Sequence, residues 1–279
     1  MQRKHDWGEN MIATNLRNPK VQGVLVPLVT PLNEKREVDA KSVKRLLQSL
    51  KSRVDGFIPC LSTGEGRNLN DRSWRTMLEF TLAETSGTMV IAGIEASATS
   101  DVVRRVKETR TLGVDVVIAL PQFGANIPQD KIFAHFATIA EAGLEIIVYN
   151  KQMMCGTPIH INTLIRICRQ IPAIIGVKEG SMDPAFTQQF LDAVPDVAVF
   201  LAWEHLFTKN AAHGSIAALS NLEPELCREG VTNQNMGAQN KINDAIARYN
   251  IGSENTSWFY DIKLELVRRG IIETTYCIV

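Results

Sequence analysis

The sequence predicts an α/β fold: a single (β/α)8 TIM barrel with additional C-terminal helices. Eight apolar runs of strand length recur along the chain, and amphipathic stretches of helical length follow them. The runs are apolar almost throughout, as in a parallel sheet whose two faces are both buried. We therefore expect an N-terminal extension (1–22), a barrel (23–222) and a C-terminal helical segment packed on the barrel (223–279).

The predicted elements follow one another in strict alternation. Asp39 and Ser100 suit the N-cap positions of two helices, because their side-chain oxygens can accept backbone N–H groups. Two helices are predicted after the barrel, at 235–249 and 256–269. The helices predicted with clear spacing inside the barrel are 39–53, 71–84, 100–112 and 129–142, and the strands are 23–29, 55–61, 89–94, 114–120, 144–149, 173–178, 197–202 and 215–219.

The loop after the first strand distinguishes a closed barrel from an open doubly wound sheet. An open sheet usually carries a glycine-rich phosphate loop at this point. Here the strand continues into Thr30, Pro31 and Leu32. Together with the eight repeats, this favours closure.

Charge and composition exclude several functional classes. Thirty basic residues balance thirty acidic ones, with no basic cluster, so we expect no nucleic-acid partner. No apolar run reaches the roughly 20 residues of a membrane helix, and residues 1–20 lack a signal-peptide core. Five scattered cysteines without CxxC pairs, and histidines without ligand spacing, predict a reduced cytoplasmic protein with no metal.

Lys178 is the outstanding candidate for chemistry, because it ends the sixth apolar strand. Catalytic groups of such barrels sit at the C-terminal ends of strands. Apolar surroundings lower a lysine pKa and make a neutral amine available to attack a ketone. The alternative is that Lys178 is charged and pairs with Glu179 or Glu204.

Three further polar residues stand at strand ends. Tyr149 is placed to relay protons, or is a core ring whose hydroxyl a neighbour satisfies. Ser62 and Thr63 offer hydroxyls and backbone N–H groups to a substrate carboxylate, or cap the following turn. Their positions at strand ends leave both interpretations open.

Five ordered motifs resemble the dihydrodipicolinate synthase and N-acetylneuraminate lyase superfamily, over nearly the whole chain. The motifs are GVLVPLVTPL from Gly23, STGE from Ser62, VYN from Val148, IGVKE from Ile175 and HGSI from His213. The resemblance implies a class I aldolase or lyase, needing no cofactor, that forms a Schiff base with pyruvate or another 2-oxo acid. It also implies a homo-oligomer, a tetramer or a dimer.

The same resemblance implies roles for five residues. Lys178 matches the Schiff-base lysine, and Tyr149 matches the tyrosine that moves protons. Ser62 and Thr63 match the pair that holds the 2-oxo acid carboxylate, with Ser62 in place of a threonine. Ile216 matches a residue whose backbone lines the pocket.

Three positions depart from the family pattern. Met154 stands where an arginine binds the distal carboxylate of the second substrate, although Lys151 offers a charge nearby. Phe123 replaces the tyrosine that a neighbouring subunit contributes to the proton relay, and Trp203 lies near a position that is commonly glycine. These departures favour a lyase or aldolase that is not a true dihydrodipicolinate synthase. A hydratase or dehydratase using the same site, and a noncatalytic metabolite-binding relative, remain alternatives.

Overall fold

Eight parallel strands pair in sequential order and close into a barrel, so the predicted fold class is confirmed. The computed structural model describes residues 20–252 and 254–278. Most of the predicted N-terminal extension (1–22) therefore lies outside the described residues. The strands are β1 Gly23–Pro27, β2 Gly56–Ile58, β3 Met89–Ile94, β4 Val116–Ala119, β5 Glu145–Asn150, β6 Ile174–Glu179, β7 Ala198–Leu201 and β8 Gly214–Ser215.

Helices surround the barrel and continue beyond it. Within the described residues a helix follows each of the first six strands, whereas β7 is followed only by the 3-10 turn Glu204–Leu206. Three further helices follow β8 in the part of the chain that the structure describes. The helices are α1 Ala40–Leu50, α2 Asp71–Glu84, α3 Thr99–Thr111, α4 Gln129–Ala140, α5 Gln152–Cys155, α6 Ile161–Gln170, α7 Pro184–Ala193, α8 Pro224–Asn233, α9 Met236–Tyr249 and α10 Trp258–Arg268.

One of the two predicted N-caps is wrong. Asp39 caps α1 as expected, since its carboxylate accepts the Lys41 N–H at 3.1 Å. Ser100 instead lies inside α3, which begins one residue earlier and has Ala98 at its N-cap. The hydroxyl of Thr99 hydrogen-bonds to His135 of α4 at 2.8 Å. This contact between helices is consistent with a start two residues earlier than the capping pattern predicts.

The last strand is also misplaced in the prediction. The predicted range 215–219 shares only Ser215 with β8, and Ala218–Asn221 form a 3-10 turn. The side-chain amide of Asn221 donates to Pro27 O at 2.9 Å and accepts from Val29 N at 3.1 Å. A side chain thus supplies the hydrogen bonds that a longer β8 would offer to the end of β1.

Alternate residues of each strand enter two different packed regions, as the period of two requires. One region lies between strands and helices and contains Val117 of β4 and Val148 of β5. The other fills the barrel interior. Its strand residues include Leu25, Ile58, Ile91, Ile118, Ile147, Tyr149 and Phe200.

The closing seam between β8 and β1 depends on a glycine. Gly214 pairs with Gly23, and a Cβ atom at position 214 would lie 1.9 Å from the Gly23 carbonyl oxygen. No side chain fits in that space. Glycine at 214 therefore lets the two strands approach closely enough to complete the barrel.

A buried ion pair attaches α10 to the end of β2. Lys263 of α10 contacts Glu65, and neither side chain is exposed. Lys263 Nζ also donates to Tyr276 O at 2.7 Å, and Glu65 accepts the Ile278 N–H. The C-terminal segment is thereby held over the C-terminal end of the barrel. No helix among the described residues is long and apolar enough to span a membrane.

We predict that Lys263→Met lowers the free energy of unfolding by about 3–5 kcal/mol, because it leaves the Glu65 carboxylate buried without its partner. Urea unfolding followed by circular dichroism measures the change. Lys241→Met is the matched control, since Lys241 and its partner Glu229 are partly exposed, and a change within about 0.5 kcal/mol is expected there. Equal midpoints for the two variants would contradict an anchoring role for the buried pair.

Candidate active site

A cavity of about 310 Å³ opens at the C-terminal end of the barrel. Its walls come from the ends of several strands and from the C-terminal segment. Because the strands are parallel, their C-terminal ends meet at this one mouth. All five residues predicted from the sequence line it, namely Ser62, Thr63, Tyr149, Lys178 and Ile216.

Lys178 is buried in this cavity with only 4% of its surface exposed. It pairs in register with Tyr149 across β5 and β6, and its Nζ lies 3.9 Å from the centroid of the Tyr149 ring. Among the described residues, no carboxylate oxygen lies within 4.0 Å of Nζ. Burial, and then the positive charge of Lys151, lower the Lys178 pKa well below its ordinary value. The side chain is thus set up to be a neutral amine.

The two carboxylates proposed as partners of Lys178 are engaged elsewhere. Glu179 accepts hydrogen bonds from the side chains of Asn150 and Thr187 and from the Ser181 N–H. Glu204 accepts the Leu219 N–H at 3.0 Å. Lys178 therefore forms no ion pair with Glu179 or Glu204, so the geometry does not support the structural alternative.

Tyr149 and Ser62 both line the cavity. Burial raises the Tyr149 pKa, so its phenol keeps its proton. The hydroxyl of Ser62 is buried and has no hydrogen-bond partner among the described residues. It lies near both Tyr149 and Glu95 and influences the pKa of each.

The turn after β2 is held from two sides. Thr30 donates to the Gly64 carbonyl at 2.7 Å, and Trp258 of α10 donates through Nε1 to the Thr63 hydroxyl at 3.4 Å. Ile216 packs on the barrel interior and donates its N–H to Leu201 O at 3.0 Å. These contacts fix the backbone around the Ser62 hydroxyl.

Glu95 is a cavity residue that sequence reasoning missed. It follows β3 directly, is 3% exposed, and burial raises its pKa. Both carboxyl oxygens are buried without a hydrogen-bond partner among the described residues. The signal was available, because Glu95 stands immediately after a predicted strand, as Ser62 does.

Cations and aromatic rings line the outer part of the cavity. The Arg67 guanidinium stacks on Phe123 at 4.1 Å from the ring centroid and donates to Met154 O. Arg67 therefore contacts two of the three residues at which the chain departs from the family pattern, Phe123 and Met154. No sequence signal pointed to this arginine, because its contacts are distant in the chain.

Lys151 and Trp203 form a second part of this outer wall. Lys151 Nζ lies 4.5 Å from the Trp203 ring centroid and 5.3 Å from that of Trp258. Burial lowers the Lys151 pKa. Trp203 lines the cavity and donates through Nε1 to Gly180 O at 3.0 Å. Within the residues described, no cluster of three or more His, Cys, Asp or Glu side chains is arranged to hold a metal ion.

Comparison with known proteins relates the chain to one family. Residues 20–278 match the sequence model described as the Dihydrodipicolinate synthetase family. A 4-hydroxy-tetrahydrodipicolinate synthase of Methanopyrus kandleri is 29% identical over 75% of this chain and 73% of that protein. An uncharacterized DapA-like lyase of Pyrococcus horikoshii is 26% identical over 90% and 91%. The dihydrodipicolinate synthase structure from Bacteroides thetaiotaomicron superposes with a TM-score of 0.84 at 22% identity, covering 94% of this chain and 93% of that one.

We predict that Lys178 reacts with an amine-directed reagent at neutral pH, because its lowered pKa leaves more of the amine unprotonated there than in an ordinary lysine. Brief acetylation at pH 7 and pH 10, read by peptide mass spectrometry, measures this. The neutral fraction of an ordinary lysine, with a pKa near 10.4, falls roughly several-hundred-fold from pH 10 to pH 7. The acetylation rate of Lys178 should change little over the same range. In urea the Lys178 peptide should regain the ordinary dependence. The same steep dependence in the folded protein would contradict a neutral amine.

Proposed function

Because the chain belongs to the dihydrodipicolinate synthetase family, we propose that it is a lyase or aldolase in which Lys178 forms a Schiff base with pyruvate or another small 2-oxo acid. The observation that carries the proposal is the buried amine of Lys178, which faces the cavity beside Tyr149 and has no carboxylate partner within 4.0 Å among the described residues. Such an amine is the nucleophile that class I chemistry needs.

The first step joins Lys178 to the substrate ketone. Nζ attacks C2 of the 2-oxo acid, the carbonyl oxygen takes a proton, and loss of water from the carbinolamine gives an iminium. The positive nitrogen then accepts electrons from a breaking C3–C bond, or from a C3–H bond whose proton a base removes. When a carbon–carbon bond forms, the nitrogen of the resulting neutral enamine supplies electrons through C3 to the acceptor. The protein needs no cofactor for this, because the iminium is itself the electron sink.

Ser62, Thr63 and Tyr149 position and protonate the substrate in this proposal. The unpartnered hydroxyl of Ser62 is free to donate to the substrate carboxylate, and Thr63 lies beside it on the same turn. Tyr149, which retains its phenolic proton, serves the carbinolamine oxygen. Ile216, whose backbone the resemblance assigns to the pocket wall, is buried and lines the cavity.

The second substrate differs, we propose, from aspartate semialdehyde. Met154 stands where the family pattern has an arginine, and its thioether cannot make a charged contact with a distal carboxylate. Arg67 enters the same region from the turn after β2, with one nitrogen bound to Met154 O. The other N–H groups of Arg67 and the amine of Lys151 suit a second substrate whose polar groups are placed differently from the distal carboxylate of aspartate semialdehyde.

Association of two or four copies and a cytoplasmic location remain predictions that rest on the family resemblance and on composition. Sedimentation of the purified protein tests the first. Neither enters the argument for the chemistry of Lys178.

Borohydride reduction in the presence of pyruvate should attach the three-carbon acid to Lys178. Intact mass shows the adduct, and peptide mapping must place it on Lys178 and not on Lys151, the other lysine of the cavity. Lys178→Ala should lose the adduct entirely, whereas the surface variant Lys241→Ala should keep it. A folded wild-type protein that traps neither pyruvate nor any larger 2-oxo acid would refute the proposed function and favour a metabolite-binding relative.

With pyruvate as donor, aspartate semialdehyde should be a poor acceptor. A missing charge-assisted hydrogen bond costs about 1.5–3 kcal/mol, or roughly ten- to hundredfold in rate. Pyruvate consumption followed by NMR across a panel of aldehydes measures the preference, with a named synthase of the family as the positive control. Fastest consumption with aspartate semialdehyde would contradict the assignment. Water uptake or loss by a 2-oxo acid without carbon–carbon chemistry would identify a hydratase or dehydratase instead.

A further inference from the structure

Glu95 differs from the other buried carboxylates that the structure describes. Glu65 pairs with Lys263, Glu179 accepts three hydrogen bonds, and Glu204 accepts one from a backbone N–H. Both oxygens of Glu95 are buried with no hydrogen bond to any described residue. A carboxylate removed from water without donors is costly. Its retention in the cavity wall therefore points to a use that only a bound molecule completes.

The surroundings of Glu95 are those of the proposed reaction centre. It lines the same cavity as Lys178, and the two side chains influence each other's pKa. The Ser62 hydroxyl, also unpartnered among the described residues, lies near both Glu95 and the Tyr149 phenol. A molecule attached to Lys178 in this cavity is therefore within reach of the Glu95 carboxyl group.

We propose that Glu95 is a catalytic residue, the acid that releases water from the carbinolamine on Lys178 and the base that then removes a proton from C3 of the iminium. This inference rests on the proposed function and extends it. It assigns the two proton transfers to one carboxyl group, with Tyr149 and Ser62 holding the oxygen atoms of the adduct.

The two steps balance around a single proton. The carbinolamine hydroxyl leaves with its bonding electrons and takes the proton of Glu95, which forms water and leaves a carboxylate beside the iminium. The carboxylate then takes the proton from C3. The C3–H electrons form the C2=C3 bond, the π electrons of C=N return to nitrogen, and Glu95 is again neutral beside a neutral enamine.

Electrostatics favours this cycle in both directions. In the empty cavity burial raises the Glu95 pKa, while the nearby Ser62 hydroxyl and the positive charges of Arg67 and Lys151 act against that rise. Iminium formation fixes a positive charge at the Lys178 nitrogen, and an opposite charge nearby favours the carboxylate. Enamine formation removes that charge and favours the acid. Tyr149 is less suited to the base role, because burial raises its pKa and keeps the phenol protonated.

Exchange of the pyruvate methyl protons in deuterium oxide isolates these steps, because a deuteron replaces a proton whenever Glu95 exchanges the proton it has taken with solvent before the enamine returns. NMR follows the exchange with no second substrate present. Glu95→Gln, which has the same shape and no acidic proton, should slow kcat for exchange by about 100-fold with little change in KM. It should also lose the pH limb that the carboxyl group contributes. Borohydride trapping after long incubation should still label Lys178.

The outcomes separate this inference from the function on which it rests. If the wild type traps pyruvate and Glu95→Gln exchanges at the wild-type rate, or only KM changes, Glu95 is not the base and the Schiff-base function stands. If the wild type traps no 2-oxo acid, both fall. If circular dichroism shows that Glu95→Gln does not fold, the exchange rate of Glu95→Asp tests the proposal instead. A folded Asp variant should exchange at least tenfold more slowly and retain the pH limb, and an unchanged rate would overturn the proposal.

Discussion

Desolvation at the barrel mouth constrains every charged group that the strands carry to that end. An ionised side chain removed from water needs an opposite charge or hydrogen-bond donors, and without them its neutral form is favoured. Glu65 and Lys263 meet this requirement by pairing, and Glu179 meets it with three donors. Lys178 and Glu95 have no ion-pair partner within 4.0 Å and no side-chain hydrogen bond among the described residues. Burial moves the pKa of each towards its neutral form. The charges that hold the structure are thus paired, and two groups able to exchange protons are left facing the cavity.

The barrel and most of the residues at its mouth could be predicted from the sequence, because both depend on the local pattern of apolar and polar residues along the chain. Continuous apolar runs predict a sheet buried on both faces, and parallel strands bring their C-terminal ends together. Lys178, Tyr149 and Ser62 were predicted because each ends or follows a strand, and the structure places all three on one cavity. Glu95 satisfies the same positional rule. It was missed because an acidic residue after a strand is usually a solvated loop residue, and its burial depends on neighbours that the sequence does not identify.

Contacts between distant segments account for the rest of what the sequence could not predict. The side chain of Asn221 takes over hydrogen bonds at the end of β1, so β8 is shorter than its apolar run. Arg67 reaches Phe123 and Met154 from the turn after β2. Phe123 and Met154 mark departures from the family pattern when read alone. In the folded chain both residues contact the Arg67 guanidinium, a cation that the family motif does not indicate.

The C-terminal segment contributes to the site through contacts with residues that are distant in the sequence. Trp258 and Lys263, both on α10, contact Thr63 and Glu65 in the turn after β2. The buried ion pair is costly to break, so it fixes the backbone of that turn. The hydroxyl of Ser62, on the same turn, has no partner among the described residues. The C-terminal segment therefore stabilises the turn after β2 through the Lys263–Glu65 ion pair. The Ser62 hydroxyl, near Glu95 and Tyr149, stays available to a bound molecule.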